Sequence, residues 1–338
     1  MATAPLAPPP RQTANPAPVR PLGSVRRTSS IDVSWPDGIE GERLFVGRVR
    51  DYATPATGGA GRVLGEAETQ ARINADKTIT AIDANPAPEA LAQLVGQRAG
   101  GHLRMFIREI MPELIERGDP LYLALDDLSG TALVSAFAWS QWYDDWAARI
   151  QEAMTPEELQ KHMIQRVNVC WGLKEGNSGL SPGGPPRSVA DADAGQLVNP
   201  ADPEGWHALP EADGPGFRRA RRIDLWREAD SGLIRVDAAF QDSARRKDGG
   251  RVAIHEYNLA ATIDPASGEL LSLAPEARIL PFSECPGAVH NTQRLIGARI
   301  ADIREDVLAR LRGPEGCTHL NDALRALAEV PRLADYLA

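Results

Sequence analysis

Repetition at long range constrains this chain more than any local motif. Arg26-Arg27-Thr28-Ser29-Ser30-Ile31-Asp32 is echoed by Arg218-Arg219-Ala220-Arg221-Arg222-Ile223-Asp224, and Gly61-Arg62-Val63 by Gly250-Arg251-Val252. Leu94-Val95-Gly96-Gln97-Arg98 returns as Leu295-Ile296-Gly297-Ala298-Arg299. Arg117-Gly118 with Leu125-Asp126-Asp127 returns as Arg312-Gly313 with Leu320-Asn321-Asp322. The order is kept and the spacing between partners is nearly constant. Such self-similarity reads as a degenerate duplication, in which both copies bury a similar core.

Each copy has the same plan. Alternating segments (Ile31 to Trp35, Arg43 to Arg50, Leu233 to Gln241, Val252 to Ile263) suit half-buried antiparallel strands. A Pro-containing break follows, and then a helix with Leu295, Ile296, Ile300, Ile303, Val307 and Leu311 at helical spacing, ended by Gly313 and Pro314. A second helix begins near Thr318. The expected fold class is therefore α+β: two related units, each an antiparallel sheet of about four strands with helices on one face. The divisions are a Pro-rich extended N-terminus (1–21), a divergent copy one (22–138), a Trp-rich helical segment with a Gly/Pro loop (139–215), and copy two (216–338). In the middle segment Thr155, with Glu158 three residues on, starts a helix. The basic run Arg218, Arg219, Arg221, Arg222 reads as a solvated strand edge.

Composition excludes several partners. The net charge of −9 comes with no Lys/Arg-rich run, which argues against nucleic acid. No apolar stretch approaches the ~20 residues of a membrane span. Three separated Cys make no disulfide framework and suit a cytoplasmic location. There is no G-x-G-x-x-G after a strand, no P-loop, no G-x-S-x-G and no H-E-x-x-H, so neither nucleotide nor flavin is expected.

The chemistry-bearing residues are unevenly divided. Alignment of the copies sets Tyr122 against Cys317 and Ala124 against His319, and copy one has no Cys near Ala84 or His near "VLGEAET". His255, Glu256, Cys285, Cys317 and His319 thus belong to copy two alone, and a set present in one copy is not required by the fold. Two thiolates and one or two imidazoles, from Cys285, Cys317, His319 and His255, satisfy a zinc or iron ion. Alternatively Cys317, at a helix start whose dipole favours thiolate, is a nucleophile with His319 or His255 as base and Glu256 orienting it. Packing under the helices is the competing role for these thiols. A second candidate is the aromatic stripe Trp139, Trp142, Tyr143 and Trp146 at i, i+3, i+4, i+7, which would pack between the units or wall a pocket for a planar substrate.

Copy two, over residues 218–338, resembles the bacterial domain family of unknown function DUF2889. The residues that carry the resemblance are Ile254-His255-Glu256, Cys285-Pro286, Leu295 to Ile300, and Gly316-Cys317-Thr318-His319-Leu320. The resemblance implies the fold unit, the importance of the Cys/His set, and an association with aromatic-compound catabolism. A looser fold-level analogy links strands, Cys, helix and Cys-x-His to iron–sulfur scaffold proteins. The expected function is a cytoplasmic, non-redox lyase, hydrolase or isomerase acting on a small aromatic or acyl molecule. The alternatives are a non-catalytic subunit of a larger catabolic complex such as a carboxylase, docking through the Pro-rich N-terminus, and a metal or cluster scaffold. A homo-oligomer is compatible with each.

Overall fold

A computed structural model describes residues 16–180 and 192–337. The strands are β1 (Val25–Ser34), β2 (Arg43–Ala53), β3 (Arg62–Ile73), β4 (Ile79–Asn85), β5 (Gly216–Arg227), β6 (Ile234–Arg245), β7 (Arg251–Ile263) and β8 (Leu270–Ile279). The described helices are α1 (Gly101–Ile110), α2 (Pro112–Arg117), α3 (Pro120–Val134), α4 (Trp146–Glu152), α5 (Pro156–Arg166), α6 (Ala288–Asn291), α7 (Ile303–Arg310), α8 (Thr318–Arg325) and α9 (Val330–Ala334).

All eight strands form one antiparallel sheet in the order β4-β3-β2-β1-β5-β6-β7-β8. The expectation of separate four-strand sheets joined through the helical middle is corrected here. β1 and β5 pair antiparallel along their whole length, from Val25 opposite Leu225 to Ser34 opposite Gly216. Pairing them satisfies two rows of backbone groups that isolated sheets would leave as open edges.

One face of the sheet is apolar and carries the helices. Phe45, Ile73 and Ile79 pack with Leu103, Ile107 and Leu125 in the first half, and Phe240, Tyr257 and Leu259 with Leu295, Val307 and Leu324 in the second. Several helices are shorter than their apolar spacing predicts. Gly297 takes a positive φ of 84° and interrupts the expected helix from Leu295, so a 3-10 turn at Ile300–Asp302 leads into the eight-residue α7. Leu295, Ile300, Ile303, Val307 and Leu311 are buried as expected, but Ile296 is exposed.

The Trp segment also departs from a single helix. A 3-10 helix over Ser135–Gln141 ends before Trp142, and α4 starts at Trp146. Trp139 is buried against Trp35 at 5.4 Å, stacks on Tyr143 at 5.7 Å and lies 6.4 Å from Trp146, while Trp142 Nε1 donates to the Arg245 carbonyl. Trp139, Tyr143 and Trp146 pack together, while Trp142 is tied to the backbone at the end of β6. In α5 the capping box of Thr155 and Glu158 is formed as predicted.

Two further expectations are corrected. Pro120–Gln141 is, among the described residues, an apolar helical stretch long enough for a membrane span, but most of its apolar window is buried in the core. The basic run is not a solvated edge: Arg218, Arg219, Arg221 and Arg222 lie on central β5 and are all at most 4% exposed. Burying four guanidiniums requires carboxylates, and each has one. Arg218 reaches Asp32 at 2.6 Å, Arg219 reaches Asp242 at 2.8 Å, Arg221 reaches Asp127 at 2.6 Å, and Arg222 reaches Asp224 and Asp237.

The opposite face is covered by chain rather than helices. Arg26, paired with Asp224 at 2.5 Å, also donates to the Pro18 and Gly205 carbonyls. Arg20 clamps Asp202 and lies over the Tyr52 ring at 4.1 Å. Residues 16–21 are therefore tied to their own chain through Ala17, Pro18 and Arg20, although none of them is buried. The expected extended segment at 1–15, and the part of the Gly/Pro loop at 181–191, lie outside the described residues.

Candidate functional site

On the helical face each half has a bidentate arginine–aspartate pair at the same place in its strands. Arg27 holds Asp51 with Nε and Nη2 at 2.6 Å each, and Arg219 holds Asp242 at 2.8 and 2.9 Å. The strand partner of Asp51 is Gly65, whereas that of Asp242 is His255. The side chains of Asp242 and His255 are thus cross-strand neighbours on one face. His255 Nδ1 lies 3.1 Å from Asp242 Oδ2. The first turn of α8 then brings His319 over the pair, its ring stacked on His255 at 3.4 Å and its Nε2 3.9 Å from Asp242 Oδ2.

Asp242, His255 and His319 each offer one ligand atom, and the three atoms lie within 4.8 Å of one another. Asp242 is fully buried, His255 nearly so, and the His319 side chain is 13% exposed, making it the outlet to solvent. Burial lowers the pKa of His255, although the Asp242 carboxylate opposes it. Burial and the adjacent His255 push His319 well below its ordinary value. Burial works to raise Asp242, but Arg219 and His255 overcome it and hold the carboxyl below the usual carboxylate range. The cluster at neutral pH is therefore one carboxylate and two neutral imidazoles, the ionisation state that metal ligands require.

Arginines surround it in balance with acids. Arg219 also reaches Asp322 at 3.1 Å, Arg104 bonds Asp322 at 2.8 Å, and Arg325 bonds Asp126 at 3.1 Å. Asp126 and Asp127 come from α3 of the first half, so the two halves share one ion network. Gly130 of α3 makes room for it: a Cβ there would sit 2.1 Å from Arg219 Nη1.

The predicted set of Cys285, Cys317, His319 and His255 is only partly brought together. The imidazoles meet; the thiols face the apolar core. Cys317 is the N-cap of α8 and accepts from the Tyr257 hydroxyl at 3.3 Å. The expected thiolate is overturned, because burial pushes Cys317 up to about 11, outweighing the amides of the helix start. Burial likewise raises Cys285, whose Sγ packs against Gly172 so closely that a Cβ there would lie 2.5 Å away. Glu256 does not orient His255. Neighbours on a strand point to opposite faces, and Glu256 accepts from Gln241 at 3.0 Å in a cavity on the other side of the sheet. Nor is Glu256 particular to the second half, since Arg50 faces Glu66 where Gln241 faces Glu256.

Asp242 was missed by the sequence reading. It has a counterpart in Asp51, so a search for residues confined to one copy discards it. The signal available was the HPHP-type alternation of β6 and β7, whose register sets Asp242 beside His255.

No curated protein and no solved structure matches the chain. Residues 217–332, which run from β5 into α9 and include Asp242, His255 and His319, match the model of a family described as a protein of unknown function, DUF2889.

Proposed function

We propose that the chain is a non-redox enzyme of small-molecule chemistry whose centre is a divalent zinc or iron ion held by Asp242, His255 and His319. One observation carries the reading: three ligand atoms from β6, β7 and α8, one carboxylate oxygen and two imidazole nitrogens, converge within 4.8 Å. Two histidines and one carboxylate are a common ligand set for such ions, and an arginine on the carboxylate supplies the outer hydrogen bonds that fix its orientation. The bound ion would polarise a carbonyl or lower the pKa of a water. Its charge would be added to a network that is otherwise balanced, which favours an acyl or aromatic substrate bearing an oxygen anion. With pKa values pushed down, the imidazoles suit ligation better than general-base work near neutral pH.

The duplication supports the same assignment. In this reading residues 22–138 are a divergent copy of the four-strand unit, kept for its Arg27–Asp51 pair and its core. The pair Arg219–Asp242 belongs to the fold, and the two histidines, opposite Gly65 and Ala124, are the addition. A cytoplasmic setting suits the three unpaired thiols. The roles of lone enzyme and of subunit in a larger complex differ in whether the purified chain turns over substrate.

Titration of metal-free protein with Co²⁺, followed by visible absorption and calorimetry, tests the site. The expected result is one ion per chain with ligand-field bands, lost in His319→Ala and His255→Ala while the melting transition is retained. Absence of binding to the wild-type chain, or equal binding by both variants, would refute the centre.

A further inference from the structure

We infer that Arg104, in the first half of the chain, is a positioning residue for the candidate centre: through Asp322 it holds the turn of α8 that places His319 over Asp242 and His255. The inference concerns the cluster itself; what the cluster then does rests on the metal reading above.

The three side chains are not equally fixed. Asp242 and His255 face each other because the register of β6 and β7 sets them there. His319 arrives on an eight-residue helix, too short to be stable without packing. Its place over the pair therefore depends on what holds α8. Asp322 lies one turn after His319 and on the same side of the helix, since residues at i and i+3 are neighbours. Two arginines take its two oxygens from different elements. Arg219 Nη1 on β5 reaches Oδ2 at 3.1 Å, and Arg104 Nη1 on α1 reaches Oδ1 at 2.8 Å. Arg219 also holds Asp242, so its bonds tie α8 to the sheet beneath. One such tie leaves a helix free to pivot about it, and Arg104 supplies a second point. The Arg104 guanidinium is itself fixed, because its Nε donates to the Asp126 carbonyl at 3.0 Å. Arg325, at the end of α8, meets the Asp126 side chain at 3.1 Å.

The first half lacks the matching tie on its own helix. In the sequence match that sets Leu94 against Leu295, Glu305 stands opposite Arg104. Glu305 has the wrong charge to hold Asp127, which stands opposite Asp322, and it pairs with Arg108 instead. Asp127 is held by Arg221 and Arg219, both of β5. Gly130, in turn, stands opposite Arg325. The carboxylate on the histidine-bearing helix is thus held from two elements, and its counterpart on α3 from one. A bond that the fold alone required would be expected on both helices.

The test uses the metal-free full chain, labelled with ¹³C at its histidines, at neutral pH. Imidazole signals of His255 and His319 are assigned with His255→Gln and His319→Gln. Stacking of the two rings at 3.4 Å shields their protons, so both signals should lie upfield of those of exposed histidines. Arg104→Gln should move the His319 signal toward the exposed ones while the variant still melts cooperatively. It should also weaken Co²⁺ binding by roughly tenfold or more, as loss of an outer partner of a ligand does. Arg104→Lys, which keeps a charge beside Asp322 but not the bond from Nε, should fall between Arg104→Gln and the wild type. Arg108→Gln, on the same helix but at the surface, should change neither signal nor affinity. The inference is overturned if the His319 signal stays in place in a folded Arg104→Gln, or if Arg108→Gln moves it as far. Should Arg104→Gln not fold, an unmoved signal in Arg104→Lys overturns it as well. A wild type that binds no Co²⁺ ends the metal reading, and the His319 signal still decides the role of Arg104.

Discussion

His207 offers a direct test of how the central strand pair is held. It stands on the covered face of the sheet, with Nδ1 2.9 Å from Thr28 Oγ1 and Nε2 2.8 Å from Ser30 Oγ. Burial, with the charges of Arg50, Arg48 and Arg218 nearby, lowers its pKa to about 3. A histidine in the unfolded chain titrates near 6.5. Between those values the unfolded state binds the proton and the folded state does not, so this group's contribution to stability is complete above about pH 6.5 and is lost as pH falls. Linkage puts the loss at about 2.5 kcal/mol between pH 7 and pH 4.5. His207→Gln keeps a polar side chain but cannot titrate. At pH 7 the variant should be the less stable by about 1–3 kcal/mol through weakened hydrogen bonds. By pH 4.5 that deficit should shrink by about 2.5 kcal/mol or reverse. Urea denaturation of both proteins across this range measures the difference, from which other titrating groups cancel. A stability difference that stays constant with pH would refute the buried, neutral His207.

Other expectations concern the shared ion network and the thiols. Arg219→Met leaves the buried Asp242 without its guanidinium, while Asp322 keeps Arg104, and should cost about 3–5 kcal/mol in thermal or chemical denaturation. Gly130→Ala should destabilise the fold by about 1–3 kcal/mol or more, since its methyl group collides with Arg219 Nη1. Asp51→Asn and Asp242→Asn should both lower the melting temperature, but only Asp242→Asn should abolish Co²⁺ binding. Cys317→Ala should leave Co²⁺ binding intact and cost about 1–2 kcal/mol; loss of the metal with unchanged stability would return the thiol to the ligand set.

The sequence made the strands legible because alternation survives in both halves, and it made His255 and His319 legible because the halves differ there. What it hid follows from the same logic. A residue present in both halves looks structural, and Asp51 holds Arg27. Asp242 does that work for Arg219 and, with His255 across the strand where Asp51 has Gly65, faces an imidazole as well. One side chain can serve both the fold and a candidate site, so a search for residues confined to one half finds His255 and His319 but not Asp242. The arginines were misread for a related reason. A run of four basic residues suggests solvent unless its carboxylates are known, and those lie at Asp32, Asp127, Asp224, Asp237, Asp242 and Asp322, scattered over both halves. Asp237 and Asp242 reach the arginines across the β5–β6 pair, whereas Asp32 and Asp127 come from the first half through the pairing of β1 with β5, which has no local signature. Nor does Cys317 follow from the helix start it occupies: the Tyr257 hydroxyl and the amides of the first turn favour the anion, but burial in the core under α8 outweighs them.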